Sequence, residues 1–124
     1  MNVIAIFLGG GLGSLCRYGI GKFTAAYFAS TFAFATLFSN VISTLILALF
    51  IYVFQAKLGL NDTWKLFLVT GFCGGFSTFS TFSFETFEML RNGQTSLAIL
   101  NIVLSILACL LLLFLVYKFS TSTH

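Results

Sequence analysis

Apolar residues fall in four long runs along the chain, and the polar residues that interrupt them are few. The first run extends from about Val3 to Phe23, the second from about Phe32 to Phe54, the third from about Trp64 to Leu90 and the fourth from about Leu97 to Tyr117. A helix needs about 20 apolar residues to cross the hydrocarbon core of a bilayer, so each run predicts one membrane-spanning helix. The connections are short, which predicts antiparallel neighbours. In the clearest one, residues 55–63 (QAKLGLNDT), Asp62 or Thr63 is placed to cap the third helix, and Asn92-Gly93 signals the turn after it. No internal repeat is visible. The pattern predicts an all-α membrane protein with four transmembrane helices in one domain, residues 1–124.

The third run breaks the pattern. As one helix, its roughly 27 residues would measure ~40 Å, too long for a straight span. Residues 71–85 within it read GFCGGFSTFSTFSFE, with three glycines, five hydroxyl residues, five phenylalanines and a glutamate. Backbone released from a helix at membrane depth must be buried in protein or line a cavity. The mixture predicts a third helix broken mid-membrane near Gly74–Ser77, beside a polar path. The chain contains no proline, so glycine is expected to supply the break.

Composition narrows the class. Hydrophobic residues make up 59% and charged residues 7%, far below the charged share that covers a soluble domain. The net charge of +3 is scattered, with no basic cluster to attract nucleic acid. Cys16, Cys73 and Cys109 show no metal-ligand spacing and the one histidine, His124, is terminal, so the cysteines read as buried free thiols. The N-terminus lacks a basic leader region, and its apolar start reads as a retained helix.

Charge placement adds a topology. With the N-terminus on one side, Lys57, Lys65 and Lys118 share that side, while Arg17, Lys22 and Arg91 fall towards the other. An excess of Lys and Arg normally fixes orientation, and here there is none. The chain can then insert both ways and pair antiparallel; one fixed orientation set by the first helix is the other reading. Four short helices enclose little alone, so an antiparallel homodimer, the two-chain version of an inverted repeat, is the natural way to build a pathway.

The sparse polar positions fall on helical faces. Gly9, Gly13 and Arg17 recur every four residues. The glycine pair permits close helix packing. Arg17 either snorkels to the interface or faces a wet cavity, where it would draw anions inward. On the second helix Thr36, Asn40, Ser43 and Thr44 follow helical spacing, with Ser39 beside them. Asn40 lies near mid-span, either bonding a neighbouring helix or offering amide N–H groups to an anion. Asn101 and Ser105 share a face of the fourth helix that Cys109 continues, with the same two readings. On the third, Phe79 and Phe82 lie on a face different from Thr81 and Glu85. Aromatic stripes commonly serve packing, yet a phenylalanine edge is electropositive and can meet an anion, with Ser80 and Thr81 donating alongside. Glu85 reads as a bonded carboxylate near the interface and Glu88 as solvated. No acid or base sits at the centre of a span, which disfavours a proton-coupled pump, and no nucleophile–base pair suggests a hydrolase. Neutral donors suit passive movement of a small ion, an anion foremost.

GFCGGFSTFSTFSFE resembles the signature of the Fluc (CrcB) fluoride channels, typically GFxGGxTTFSTFSxE. GGGLGSLCRY at Gly9–Tyr18 resembles that family's first-helix GGxxGAxxRY, and TLFSN at Thr36–Asn40 its second-helix TLxVN. The resemblance implies a dual-topology homodimer in the plasma (inner) membrane, whose two antiparallel pores let fluoride leave the cytosol passively. It implies Phe79 and Phe82 as pore phenylalanines, with Asn40 and Ser105 as pore polar groups. Ser80 and Thr81 match a hydroxyl track, Glu85 the acid ending the motif, and Arg17 the first-helix arginine. Gly74 and Ser77 match positions whose backbone carbonyls hold a central structural sodium ion (Na+), two from each chain. Three positions depart from the family's usual residues: Ser43-Thr44 for Gly-Ser, Ser77 for threonine, and Asn101 for a tyrosine at a pore position. A small multidrug exporter is the main rival, but such transporters carry a buried acid in the first helix, and Val3–Gly21 has none. A non-transporting assembly subunit would leave the aligned donors unaccounted for.

Overall fold

The structure, a computed structural model, describes residues 1–28, 33–59 and 61–122. Four helices are long and apolar enough to cross a membrane: Asn2–Tyr27, Phe34–Phe54, Asp62–Arg91 and Thr95–Ser122. The first two are α1 and α2. The third comprises α3, residues 62–76, and α4, Phe79–Arg91. The last is α5. Phe32, expected to open the second run, and His124 lie outside the described residues.

The helices outrun the hydrophobic runs. α1 continues four residues past Phe23 and α5 five past Tyr117. Hydropathy marks the part of a helix that matches hydrocarbon, whereas backbone hydrogen bonding continues into the polar ends. After α2 the chain winds on through Gln55–Leu58 and stops at Gly59, whose φ of 59° is the left-handed conformation that ends many helices. The cap of α3 is Asn61, not Asp62 or Thr63: its side-chain oxygen accepts the Trp64 N–H at 3.1 Å. Asp62 instead occupies the first turn, where its charge meets the positive helix end. Thr63 donates to Asn2 Oδ1 at 3.3 Å, tying the start of α3 to the start of α1.

Glycine has a different task in α3 from the one expected. Gly74 and Gly75 are helical. The helix stops at Ser77 (φ −84°, ψ 159°) and Thr78 (φ −154°, ψ 120°), extended backbone that any residue adopts. The glycines make a seam between α1 and α3. A methyl group on Gly13 would lie 2.2 Å from Phe72 O, one on Gly9 2.3 Å from Phe67 O, and one on Gly75 2.5 Å from Gly10 O. Gly9-x-x-x-Gly13 thus meets a second pair, Gly71-x-x-x-Gly75, and backbone lies against backbone.

α2 packs against α5 and, in part, against α1. Small and polar residues fill the interior, among them Ala48, Ala98, Ser39, Ser43 and Asn101, while Phe, Leu and Ile side chains line the outside. That inversion of the soluble pattern follows when lipid is the solvent: hydrocarbon gives apolar side chains no reason to hide, and close backbone approach rewards small ones.

Candidate functional site

The interruption at Ser77–Thr78 leaves backbone groups that need partners, and α2 supplies them. The Thr78 N–H donates to Asn40 Oδ1 at 2.9 Å, and Asn40 Nδ2 donates back to Thr78 O at 3.5 Å. Ser43 donates to Cys73 O at 3.0 Å, an acceptor shared with the Ser77 hydroxyl at 2.8 Å and the Ser77 N–H at 3.0 Å. Thr78 caps α4, its hydroxyl oxygen accepting the Thr81 N–H at 3.2 Å. These bonds have a side effect. In an unbroken helix the Thr78 N–H would serve Gly74 O and the Thr81 N–H would serve Ser77 O. Both donors are turned elsewhere, so two carbonyls lose their helical partners.

Beside the interruption lies a cleft of ≈400 Å³ between α2, α4 and α5. Asn40, Ser77, Phe79, Phe82 and Ser105 come together in its wall. So do Thr44, Thr78 and Cys109, with Ile106 and Leu110 completing the surface. Among the described residues, no charged one lines it. The Phe79 ring is 79% exposed, and its centroid stands 5.9 Å from that of Phe82 with the planes at 39°. The N-terminal end of α4 opens here as well, and the first N–H groups of a helix carry positive partial charge. The cleft therefore gathers neutral polar groups, two phenylalanine rings and the positive end of a helix dipole, a set that can stabilise a small anion without a fixed countercharge.

The remaining residues singled out in the sequence lie elsewhere. Ser80 is exposed, its hydroxyl 3.3 Å from that of Thr78, and Thr81 is half-buried in the first turn of α4. Glu85 is bonded by the Thr36 hydroxyl and borders a second, smaller cavity of ≈170 Å³ with Glu88 and Asn92. Glu88 is not simply solvated: it pairs with Arg91 at 2.6 Å. Arg17 is half-buried, and its Nε has no hydrogen-bond partner among the described residues. Asn101 does not line the cleft; it is 1% exposed and bonded within the bundle. Thr44 and Cys109 lie four residues beyond Asn40 and Ser105, a spacing that could have placed them in the wall. Thr78, a hydroxyl residue heading an amphipathic helix, carries a cap signature that the surrounding hydroxyls obscured.

Comparison with known proteins places the chain in a family. The profile of the family described as CrcB-like protein, Camphor Resistance (CrcB), matches residues 4–117. The chain belongs to the CrcB family. A relative from Coxiella burnetii (strain CbuK_Q154) is 38% identical over 111 residues, covering 89% of this chain and 90% of its own. One from Sulfurihydrogenibium sp. (strain YO3AOP1) is 35% identical over 98 residues, 79% of each chain. One from Granulibacter bethesdensis (strain ATCC BAA-1260 / CGDNIH1) is 36% identical over 78 residues, 63% of this chain and 61% of its own. All three are named fluoride-specific ion channel FluC.

Proposed function

We propose that this chain forms a passive, fluoride-selective channel that lets fluoride leave the cytoplasm across the plasma membrane. The observation that carries the reading is the uncharged cleft where Asn40, Phe79, Phe82 and Ser105 converge at the start of α4. Fluoride is small and strongly hydrated, so stripping its water is costly. Amide, hydroxyl and ring-edge donors spread along a path replace that shell, and binding shared among several weak sites lets the ion leave again. Ser80, Thr81 and Glu85 extend the polar path along α4, and Arg17 adds a positive charge that draws anions towards the protein. The names of the relatives support fluoride as the ion.

The working unit in this reading is an antiparallel homodimer with two pores. The balanced charge of the loops supports it, as does the outward-facing Phe79 ring, which a single chain leaves uncovered. The carbonyls of Gly74 and Ser77 fit a hard monovalent cation: they are oxygen donors without their helical N–H partners, and Gly74 is exposed. Two chains would present four such oxygens to one sodium ion, which when bound adds a fixed positive field near the anion path.

The test is efflux from liposomes holding fluoride or chloride, followed with ion electrodes. Fast fluoride efflux without a proton gradient, little chloride efflux, and near-abolished fluoride efflux in folded Phe79→Ile protein are expected. Equal loss of both anions, or wild-type flux in Phe79→Ile, would overturn the reading.

A further inference from the structure

Asn101 sits in a helix of apolar residues and is among the most secluded side chains in the bundle, yet both ends of its amide are bonded. Its Nδ2 donates to Thr86 Oγ1 at 2.9 Å, and its Oδ1 accepts from the Ser105 hydroxyl at 3.4 Å. The Thr86 hydroxyl donates onward to Phe82 O at 2.8 Å. Three bonds, all pointing the same way, thus run from Ser105 through Asn101 and Thr86 to Phe82. The chain starts and ends on residues that line the cleft, while its two middle members do not touch it.

The three bonds are unequal. The 2.9 Å bond joins two buried side chains, and the 2.8 Å bond carries the buried Thr86 hydroxyl on to the half-buried Phe82 backbone; breaking the first would strand a polar atom in the interior. The bond at 3.4 Å lies at the weak end of the hydrogen-bond range. It belongs to Ser105, the one hydroxyl residue of this hydrogen-bonded series that lines the cleft. An anion arriving there competes with a long bond for the Ser105 proton.

We propose that Asn101 is a positioning residue that fixes the α4 turn bearing Phe82 against α5 and keeps the Ser105 proton on a bond weak enough for an ion in the cleft to displace. The role rests on the fluoride reading above and makes no ion contact for Asn101. With Asn101→Leu, Ser105 turns its hydroxyl to a carbonyl of its own helix, as serine does inside helices, and Thr86 loses its donor. With Asn101→Asp, a carboxylate would grip the same proton through a charge-assisted bond.

Fluoride efflux and the fluoride-to-chloride ratio are measured in liposomes for each folded variant. Asn101→Leu and Thr86→Val are each expected to slow fluoride about tenfold and to lower the ratio, as loss of one shared hydrogen-bond chain implies. Asn101→Asp is expected to slow it further. Thr86→Ser, which keeps the hydroxyl, should retain wild-type behaviour. The double variant Asn101→Leu/Thr86→Val should be no worse than the more affected single one, because both cut the same chain. A fluoride rate and ratio unchanged in Asn101→Leu, or effects that multiply in the double variant, overturn the role. If Asn101→Leu does not fold, the Thr86→Val and Thr86→Ser pair decides, and equal rates for the two overturn it. A wild-type protein that passes no fluoride is a separate result: it overturns the fluoride reading itself.

Discussion

Gly13 and Gly11 are two residues apart on α1 and have opposite surroundings. A methyl group on Gly13 would meet Phe72 O at 2.2 Å and Phe76 N at 2.8 Å, whereas one on Gly11 would meet nothing within 4 Å. Backbone atoms cannot swing aside as a side chain can. Gly13→Ala should therefore push α1 off α3 and cost ~1–3 kcal/mol, in the range of overpacked interiors. Gly11→Ala should leave stability unchanged or raise it by up to ~1 kcal/mol, because alanine orders the helix. Thermal unfolding of both variants in detergent, followed by size exclusion, checks the contrast; equal melting temperatures would count against the seam. The α1 half of this seam was legible in the sequence as Gly9-x-x-x-Gly13. The α3 half was not, because Gly71 and Gly75 stand among hydroxyl residues and a third glycine, where the same letters suggest a helix break. Asn101 was legible only as one of two alternatives for a related reason: its spacing from Ser105 places both on one face of α5, but spacing cannot tell the part of that face lining the cleft from the part bonded to Thr86.

At the scale of the elements, α3 and α4 are joined by two extended residues, and the backbone of the second, Thr78, is satisfied from outside. Asn40 serves both the N–H and the C=O of Thr78, so one α2 side chain replaces the local helical ladder. Asn40→Leu should leave two part-buried backbone groups of Thr78 unpaired, at up to ~1–3 kcal/mol each. Faster amide exchange confined to the residues around Thr78, with α1 and α5 unaffected, is the expected signature in hydrogen-exchange measurements. Uniform protection across the chain would show that the link does not depend on Asn40. The helices themselves were legible as long apolar runs, since length and hydropathy suffice for a bilayer span. Their ends were displaced. The cap fell on Asn61, one residue earlier than expected, because Asp62 and Thr63 are equally good cap types and sequence does not rank three adjacent candidates. The link fell at Ser77–Thr78 because extended backbone needs no glycine.

At the scale of the whole molecule, one chain leaves unfinished surfaces. Phe79 projects outward and Gly74 is exposed next to a carbonyl that has lost its helical donor. In the proposed antiparallel dimer, a reporter fused to the C-terminus should be active on both sides of the membrane. The detergent-solubilised particle should have the mass of two chains, and it should melt at a lower temperature when a bulky organic cation replaces sodium. Reporter activity on one side alone, or a melting temperature indifferent to sodium, would count against that assembly. Family membership was legible at this scale from the ordered motifs, whereas the cleft required three helices from distant parts of the chain to be brought together. The glycine seam has a further consequence for how such a chain can change over generations. Elsewhere in a protein, a substitution on one helix can be answered by a complementary one on its neighbour. Where Gly13 faces the backbone of Phe72 and Phe76, no opposing side chain is available to answer. Correlated change between relatives, which records side chain against side chain, should fall silent along this line of contact, and a lineage that loses one of these glycines can recover only by regaining it.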